Sequence, residues 1–267
     1  MGAQRVARSR DGVEIAYATD GAAAGAEAPA VVLVHGWAGN RTYWDHQVGY
    51  LGERNLVVAI DLGGHGGSGL GRAEWSLAAF GDDVVTVVDK VGAQRVALVG
   101  HSMGGDAIVY AARRLGDRVA GLVWIDVFRS LGKEPESSPE QVEAFLAPFR
   151  ADFETAVVQF VRNLLPAAAN GKLVERIVTD MTAAPREVAL GSLRYARNRQ
   201  PAILAALPCL SAPIVAINPD IAPTDIDSMR RHGVESIVLT DVGHFPMIED
   251  PEQFNPILAT TLASFRG

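Results

Sequence analysis

The length, composition and charge of the chain exclude several classes of protein. With 267 residues and 48% hydrophobic composition, the chain can bury one large core, as single α/β domains of this size do. A net charge of −7, with no cluster of lysines and arginines, argues against nucleic acid and anionic membrane surfaces as partners and favours a small neutral or apolar ligand.

The first predicted element is an antiparallel hairpin. Residues 6–17 alternate around an Arg-Asp-Gly turn at residues 10–12, a pattern typical of a sheet edge. The strands predicted after it are short apolar runs without alternation, as in parallel strands that are buried on both faces. These runs cover residues 30–34, 56–60, 96–99, 119–125, 214–217 and 236–239.

Helical patterns fill the intervals between these strands. Ser76 is predicted to cap a helix over residues 77–91, with Gly92 just past its end. Further helices are predicted over residues 103–115 and 251–265. Alternation of strands and helices predicts a doubly wound, mostly parallel β-sheet, in which ligands bind beyond the carboxyl ends of the strands.

A long helical segment interrupts this alternation after Asp126. Residues 135–199 have helical periodicity, enrichment in Glu and Ala, and no strand signal. We therefore predict an α/β core of residues 1–130 and 206–267, with a helical cap of residues 131–205 inserted before the last two strands. Such an insertion between two sheet strands is expected to cover the active site.

The most informative motif is the sequence GHSMG at residues 100–104. It has the form G-x-S-x-G and lies between a strand pattern and a helix pattern, the context of a nucleophile elbow. Such a turn holds its serine in a strained backbone conformation, and larger flanking side chains would collide with the neighbouring strand and helix. Ser102 is therefore the predicted nucleophile.

Three further motifs accompany this turn along the chain. The sequence HGW follows the first buried strand, a Gly-rich loop follows the second, and GHF follows the last. In this order and spacing the chain resembles the α/β-hydrolase superfamily, in its branch of small bacterial esterases, lactonases and cofactor-free perhydrolases. The motifs occupy residues 35–37, 61–69 and 243–245, and the matching signatures run from about residue 5 to about residue 128 and from about residue 212 to the end.

The resemblance implies the other members of a catalytic triad. His244 lies where the family carries its general base, which later acts as general acid for the leaving group. The acid that orients His244 is expected after a strand and shortly before a proline, which favours Asp220, in the chain order Ser, Asp, His. The glycine usual in that motif is missing here, and Asp126, at the end of the strand before the cap, is the alternative acid.

The resemblance also implies an oxyanion hole and an apolar pocket. The expected donors are the backbone N–H groups of Met103, directly after the nucleophile, and of Trp37, in the loop after a buried strand. Because these donors belong to the backbone, the Trp37 side chain is free to line the substrate pocket. The other predicted pocket residues are His101, Trp124, Phe128 and Phe245.

These residues together predict a serine hydrolase of the carboxylesterase type, which cleaves esters of small, mainly apolar substrates through an acyl-enzyme on Ser102. Lactonase, perhydrolase and C–C hydrolase reactions would use the same triad, since the cap and the pocket decide the substrate. A slow-turnover ligand-sensing receptor of the same fold is the alternative from a different class. No cofactor or metal is expected.

The remaining expectations concern location and partners. Cys209 is the only cysteine, so no internal disulfide can form, which is compatible with a reducing cytoplasm. The N-terminus lacks the apolar segment of a signal peptide, and no apolar stretch approaches the ~20 residues that span a bilayer. We expect a soluble cytoplasmic monomer or homodimer that acts on a small ester or lactone, without nucleic acid or membrane partners.

Overall fold

Eight strands form a single sheet in the computed structural model, which describes residues 2–22, 28–133 and 136–265. The order across the sheet is β1-β2-β4-β3-β5-β6-β7-β8, and only the β1–β2 and β2–β4 pairs are antiparallel. The prediction of a doubly wound, mostly parallel sheet is confirmed. The strands are β1 (Arg5–Arg8), β2 (Glu14–Asp20), β3 (Ala30–Val34), β4 (Val57–Ile60), β5 (Val96–His101), β6 (Val119–Ile125), β7 (Ile214–Pro219) and β8 (Val234–Leu239).

The burial of the strands explains their sequence patterns. Every residue of β3, β4 and β5 is buried, because helices cover both faces of the parallel part of the sheet. At the edge, β1 is mostly exposed and pairs with β2 as the predicted hairpin. The interior β3 to β7 strands therefore form the rigid base on which the loops at their carboxyl ends are held.

Eleven α-helices are present in the described part of the chain. None of them is both long and apolar enough to cross a bilayer. They are α1 (Asp45–Gly52), α2 (Leu77–Val91), α3 (Met103–Leu115), α4 (Pro139–Ala151), α5 (Phe153–Leu164), α6 (Gly171–Thr182), α7 (Arg186–Ala196), α8 (Gln200–Ala206), α9 (Ile226–Arg231), α10 (Pro246–Glu249) and α11 (Pro251–Ser264).

Local capping signals account for the helix ends that the sequence predicted. The Ser76 hydroxyl accepts a hydrogen bond from the Ala79 amide at 3.2 Å, which satisfies one free donor of the first turn of α2. Gly92 ends the same helix in the left-handed conformation, with φ of 75°. The Asp250 carboxylate accepts from the Gln253 amide at 3.0 Å at the start of α11, so these termini are determined by short-range contacts.

A helical insertion, formed by α4 to α8, separates β6 from β7. Residues 134 and 135 of the predicted cap lie outside the described residues. The insertion has its own buried side chains, among them Val157, Val161 and Ile177, and its described residues add no strand to the sheet. Arg199 fastens its last helix to the core, because its guanidinium pairs with the buried Asp106 of α3 and donates to the Val127 carbonyl at 2.6 Å.

Candidate active site

Ser102 occupies the sharp turn between β5 and α3. Its φ of 50° and ψ of −119° are unusual for a residue with a side chain, and its amide donates to the Ile125 carbonyl of β6 at 2.9 Å. A Cβ on Gly100 would lie 2.4 Å from the Gly104 carbonyl oxygen, and one on Gly104 would lie 2.5 Å from the Val34 carbonyl oxygen. The two glycines therefore permit a turn that presents the Ser102 side chain, which is partly exposed.

Four non-glycine residues with positive φ occur in the described part of the chain, and all four lie just after the carboxyl ends of parallel strands. Ala38 follows β3, Ser102 follows β5, Asp126 follows β6 and Asp241 follows β8, with φ between 46° and 61°. Strained backbone of this kind persists where the surrounding structure holds it, and it concentrates at functional sites. These loops are therefore the candidate active site.

His244 is held between the sheet and the helical insertion. Its Nδ1 is 2.6 Å from Oδ2 of Asp126, and both side chains are nearly buried. The His244 amide donates to the Leu164 carbonyl at the end of α5, at 2.9 Å. Because an ionised carboxylate can only accept, a hydrogen bond to Asp126 places a proton on Nδ1 and leaves Nε2 as the basic nitrogen.

The carboxylate that meets His244 is not the one favoured by the sequence motif. Asp220 is exposed, and its side chain forms no hydrogen bond or ion pair with any described residue. Strand β7 continues to Pro219, so the Asp220 amide still pairs with the Leu239 carbonyl of β8, at 2.8 Å. The structure therefore brings Asp126, the alternative acid, to the imidazole, and leaves the side chain of Asp220 in solvent.

The carboxylate of Glu249 holds the loop that carries His244 through two hydrogen bonds. One oxygen of its carboxylate accepts from the Gly243 amide at 2.8 Å, and the other accepts from the Phe245 amide at 2.7 Å. Burial raises the pKa of Glu249 despite these two hydrogen bonds. Sequence reasoning assigned no role to Glu249, and its position five residues after His244 was the available signal.

His101 connects the Ser102 turn to the His244 loop. Its Nε2 donates to the His244 carbonyl oxygen at 2.7 Å, and the two imidazole rings lie 4.5 Å apart between centroids. Burial, and secondarily the neighbouring His244, lowers the pKa of His101 well below its usual value, so the ring is neutral. No hydrogen bond joins Ser102 to His244 within the described residues.

The predicted backbone donors flank Ser102. Met103 is the first residue of α3, so its amide has no partner four residues earlier in the helix. The loop that carries Trp37 passes beside Ser102, since a Cβ on Gly36 would lie 3.1 Å from the Cβ of Ser102. His35 holds this loop, because its Nδ1 donates to the Gly36 carbonyl at 2.7 Å and its Nε2 accepts from the Leu62 amide at 3.0 Å.

The Trp37 side chain reaches the helical insertion. Its indole N–H donates to the Ala189 carbonyl of α7 at 2.8 Å. Its ring meets three phenylalanines of the insertion edge to face, at centroid distances of 5.5, 6.4 and 5.3 Å for Phe149, Phe153 and Phe160. These aromatic contacts of α4 and α5, which sequence reasoning did not anticipate, place an apolar wall above the loop beside Ser102.

The other predicted pocket residues are largely buried. Trp124 has no exposed surface; its indole donates to the Gly105 carbonyl at 3.2 Å and its ring packs against Phe128. The structure therefore places Trp124 in the core rather than on an exposed wall. The centroid of the Phe245 ring lies 5.2 Å from that of His101 and 5.0 Å from that of His244, so Phe245 packs against both imidazoles.

Comparison with known proteins identifies the family. The model of the alpha/beta hydrolase family matches residues 31–257, most of the chain. The chain is an alpha/beta hydrolase. A solved thermophilic esterase from Thermogutta terrifontis shares the fold of this alpha/beta hydrolase, with a TM-score of 0.83, 23% identity and coverage of 100% of both chains.

Two curated relatives of this alpha/beta hydrolase are esterases. A pimeloyl-[acyl-carrier protein] methyl ester esterase of Neisseria meningitidis is 27% identical over 236 residues, which cover 84% of this chain and 89% of the relative. A bifunctional esterase/perhydrolase of Acinetobacter calcoaceticus is 37% identical over 134 residues, 49% of this chain and 48% of the relative. The expectation of a hydrolase is confirmed, and these relatives support ester hydrolysis as the general type of reaction.

Proposed function

We propose that this protein is a serine hydrolase that cleaves carboxylic esters through an acyl-enzyme on Ser102. The observation that carries the proposal is the 2.6 Å contact between His244 Nδ1 and the Asp126 carboxylate, beside a strained turn that presents a serine. A histidine whose Nδ1 proton is held in this way has its Nε2 free to take a proton from a hydroxyl. Asp126 is accordingly the proposed triad acid.

In the acylation step, Ser102 Oγ bonds to the ester carbonyl carbon while its proton passes to His244 Nε2. The carbonyl oxygen becomes an oxyanion, for which the amides of Met103 and Trp37 are the proposed donors, each worth on the order of 3 kcal/mol. The bond to the alcohol oxygen then breaks, and the alcohol leaves with the proton from His244 Nε2. Asp126 stabilises the imidazolium throughout this exchange.

Deacylation repeats the same exchange with water. His244 Nε2 takes a proton from water as its oxygen attacks the acyl carbon, and Ser102 regains the proton when the acid is released. This mechanism needs no charged side chain at the reacting centre other than His244 and Asp126. The imidazole must be neutral at the start of each step, because Nε2 has to take up the proton.

We propose the helical insertion as a cap that selects apolar substrates. The ring cluster of Trp37 with Phe149, Phe153 and Phe160 supports this role, because it packs apolar rings of the insertion against the loop beside Ser102. Small, mainly apolar esters therefore fit the proposal best. The preferred acyl length is measured with a series of p-nitrophenyl esters of graded chain length beside a panel of lactones.

A perhydrolase reaction is the second candidate, because the Acinetobacter calcoaceticus relative is named as both an esterase and a perhydrolase. Hydrogen peroxide would replace water in deacylation: its oxygen would attack the acyl carbon, Ser102 would leave with a proton, and a peracid would be released. Peracid formation with acetate and hydrogen peroxide, measured beside ester hydrolysis, separates the two reactions.

The decisive experiment labels the nucleophile and compares the two acids. A fluorophosphonate should modify Ser102 in the folded protein, and Ser102→Ala should lose labelling and lower kcat by ~10⁴-fold or more. Asp126→Asn should lower kcat by ~10⁴-fold, as loss of the correct histidine tautomer does in triad enzymes, while Asp220→Asn should stay within about twofold of wild type. Activity that survives Ser102→Ala would refute the covalent mechanism.

A further inference from the structure

The two carboxylate oxygens of Asp126 have different partners. Oδ2 lies 2.6 Å from His244 Nδ1, and Oδ1 lies 2.8 Å from Nη2 of Arg129. The Asp126 side chain is only 8% exposed and that of Arg129 is 24% exposed, so both charges lie where solvent screens them weakly. Among the described residues, Oδ2 of Asp126 therefore pairs with His244 and Oδ1 pairs with Arg129.

Arg129 is itself fixed at several points. Its Nη1 donates to the Pro219 carbonyl at 2.7 Å and to the Ala222 carbonyl, both in the segment at the end of β7. Its own backbone carbonyl accepts from the Asp225 amide at 2.7 Å. The guanidinium therefore joins the loop after β6 to the loop after β7, and it cannot swing away without breaking hydrogen bonds on both sides.

We propose that Arg129 is a positioning residue: its guanidinium holds Oδ1 of Asp126, so that Oδ2 stays aimed at Nδ1 of His244. The proposal rests on the proposed function, in which Asp126 is the triad acid. The terminal torsion of an aspartate is broad and roughly twofold, so the backbone alone does not hold the carboxylate plane. A planar guanidinium, with five donors in a rigid fork, can hold a carboxylate oxygen and two carbonyls together.

The charges around the site point the same way. Asp126 and Glu249 both serve the His244 loop, and the pKa of Glu249 is raised mainly by burial and further by the charge of Asp126. Arg129 supplies the positive charge that pairs with Asp126.

The first test replaces Arg129 and measures kcat and KM separately. Arg129→Gln should lower kcat by about 10- to 100-fold and leave KM within about twofold, because a misaimed Asp126 impairs the chemical step and not substrate binding. Arg129→Lys keeps a cation beside Oδ1 and should recover part of the lost kcat. Wild-type kcat in Arg129→Gln, or a lysine variant that recovers nothing, would overturn the proposal.

Arg118→Gln is the matched control for a structural effect. Arg118 also pairs with one carboxylate, that of Asp89 at 2.7 Å, and donates to one backbone carbonyl, that of Ala93 at 2.7 Å. It is 32% exposed and lies just before β6, at the opposite end of the strand from Asp126. Its variant should keep wild-type kcat, and thermal unfolding of all variants shows which of them fold.

A double-mutant cycle tests whether Arg129 acts through Asp126. In an Asp126→Asn background, Arg129→Gln should cause less than about a threefold further loss of kcat, since the carboxylate that it positions is gone. A general structural role would add its full effect in that background, and such additivity would overturn the proposal.

Fluorophosphonate labelling of the wild-type protein separates this result from the proposed function. If Ser102 is labelled and the cycle is additive, only the role of Arg129 falls. If Ser102 of the folded wild-type protein is not labelled, the proposed function and the role of Arg129 fall together.

Discussion

Gly243→Ala tests whether the helical insertion helps to place His244. Gly243 precedes the histidine and packs against the end of α5: a Cβ there would lie 2.7 Å from the Leu164 carbonyl oxygen, 2.7 Å from Cδ of Pro166 and 3.0 Å from Cα of Leu165. The φ of Gly243 lies outside the positive region, so alanine adds no backbone strain of its own. The substitution is therefore a purely steric wedge between the insertion and the His244 loop.

The size of the effect follows from these distances. Ordinary Cβ contacts begin at 3.4 Å, so the two segments must separate by about 0.7 Å. The hydrogen bond from the His244 amide to the Leu164 carbonyl, now 2.9 Å, would then exceed about 3.5 Å and be lost. Since a displacement of ~1 Å costs about 10²-fold in rate, we expect kcat to fall by about 10- to 100-fold. Overpacking should also cost about 1–3 kcal/mol of unfolding free energy.

The assay is steady-state hydrolysis of a short p-nitrophenyl ester beside urea unfolding. Gly49→Ala is the control, because Gly49 is exposed within α1 and a Cβ there would meet no atom within 4 Å. It should keep wild-type kcat and stabilise the fold by about 0.5–1 kcal/mol, since alanine favours a helix over glycine. If Gly243→Ala keeps wild-type kcat, the contact with α5 does not position His244.

Three further predictions concern buried groups. Burial lowers the pKa of His35 to about 4 and that of His65 to about 3, so the unfolded chain binds more protons than the folded chain below pH 6.5. Urea unfolding should therefore show a loss of about 2 kcal/mol of unfolding free energy per histidine between pH 6.5 and pH 5. An unchanged free energy of unfolding over this range would refute the prediction. Arg199→Met leaves the buried Asp106 carboxylate unpaired and should cost about 3 kcal/mol of unfolding free energy, whereas a loss under ~1 kcal/mol would contradict the pairing. Trp37→Phe removes a hydrogen bond to α7 but keeps the backbone amide of residue 37. KM should therefore rise while kcat stays within about threefold. A kcat loss above ~100-fold would show that the Trp37 side chain also acts in the chemical step.

The elements that the sequence predicted well are those determined by neighbouring residues. The helix over residues 77–91 is capped by Ser76 and Gly92 as predicted, because both caps act within one turn of the helix. The turn around Ser102 was equally predictable, since Gly100 and Gly104 lie within two residues of it and their lack of a side chain is a local requirement.

The choice between the two acids was beyond local reasoning. Asp126 and Asp220 both directly follow a parallel strand, so both satisfy the rule that functional side chains lie at the carboxyl ends of the strands. Their difference arises from side-chain direction: Asp126 has positive φ and lies 2.6 Å from His244, whereas Asp220 remains in register with β8 and is exposed. A missing glycine in the Asp220 motif was the one sequence signal of this outcome.

The sequence by itself determined the sheet, the termini of the main helices and the position of the serine turn, because periodicity, caps and glycines act over a few residues. Only the tertiary structure decided which carboxylate reaches His244, and which side chains hold that loop and its acid. Glu249 acts on amides four and six residues away, but Arg129 meets carbonyls 90 and 93 residues away, and Trp37 meets one 152 residues away. Contacts of that separation exist only once the strands are in order and the helical insertion has folded back over their ends.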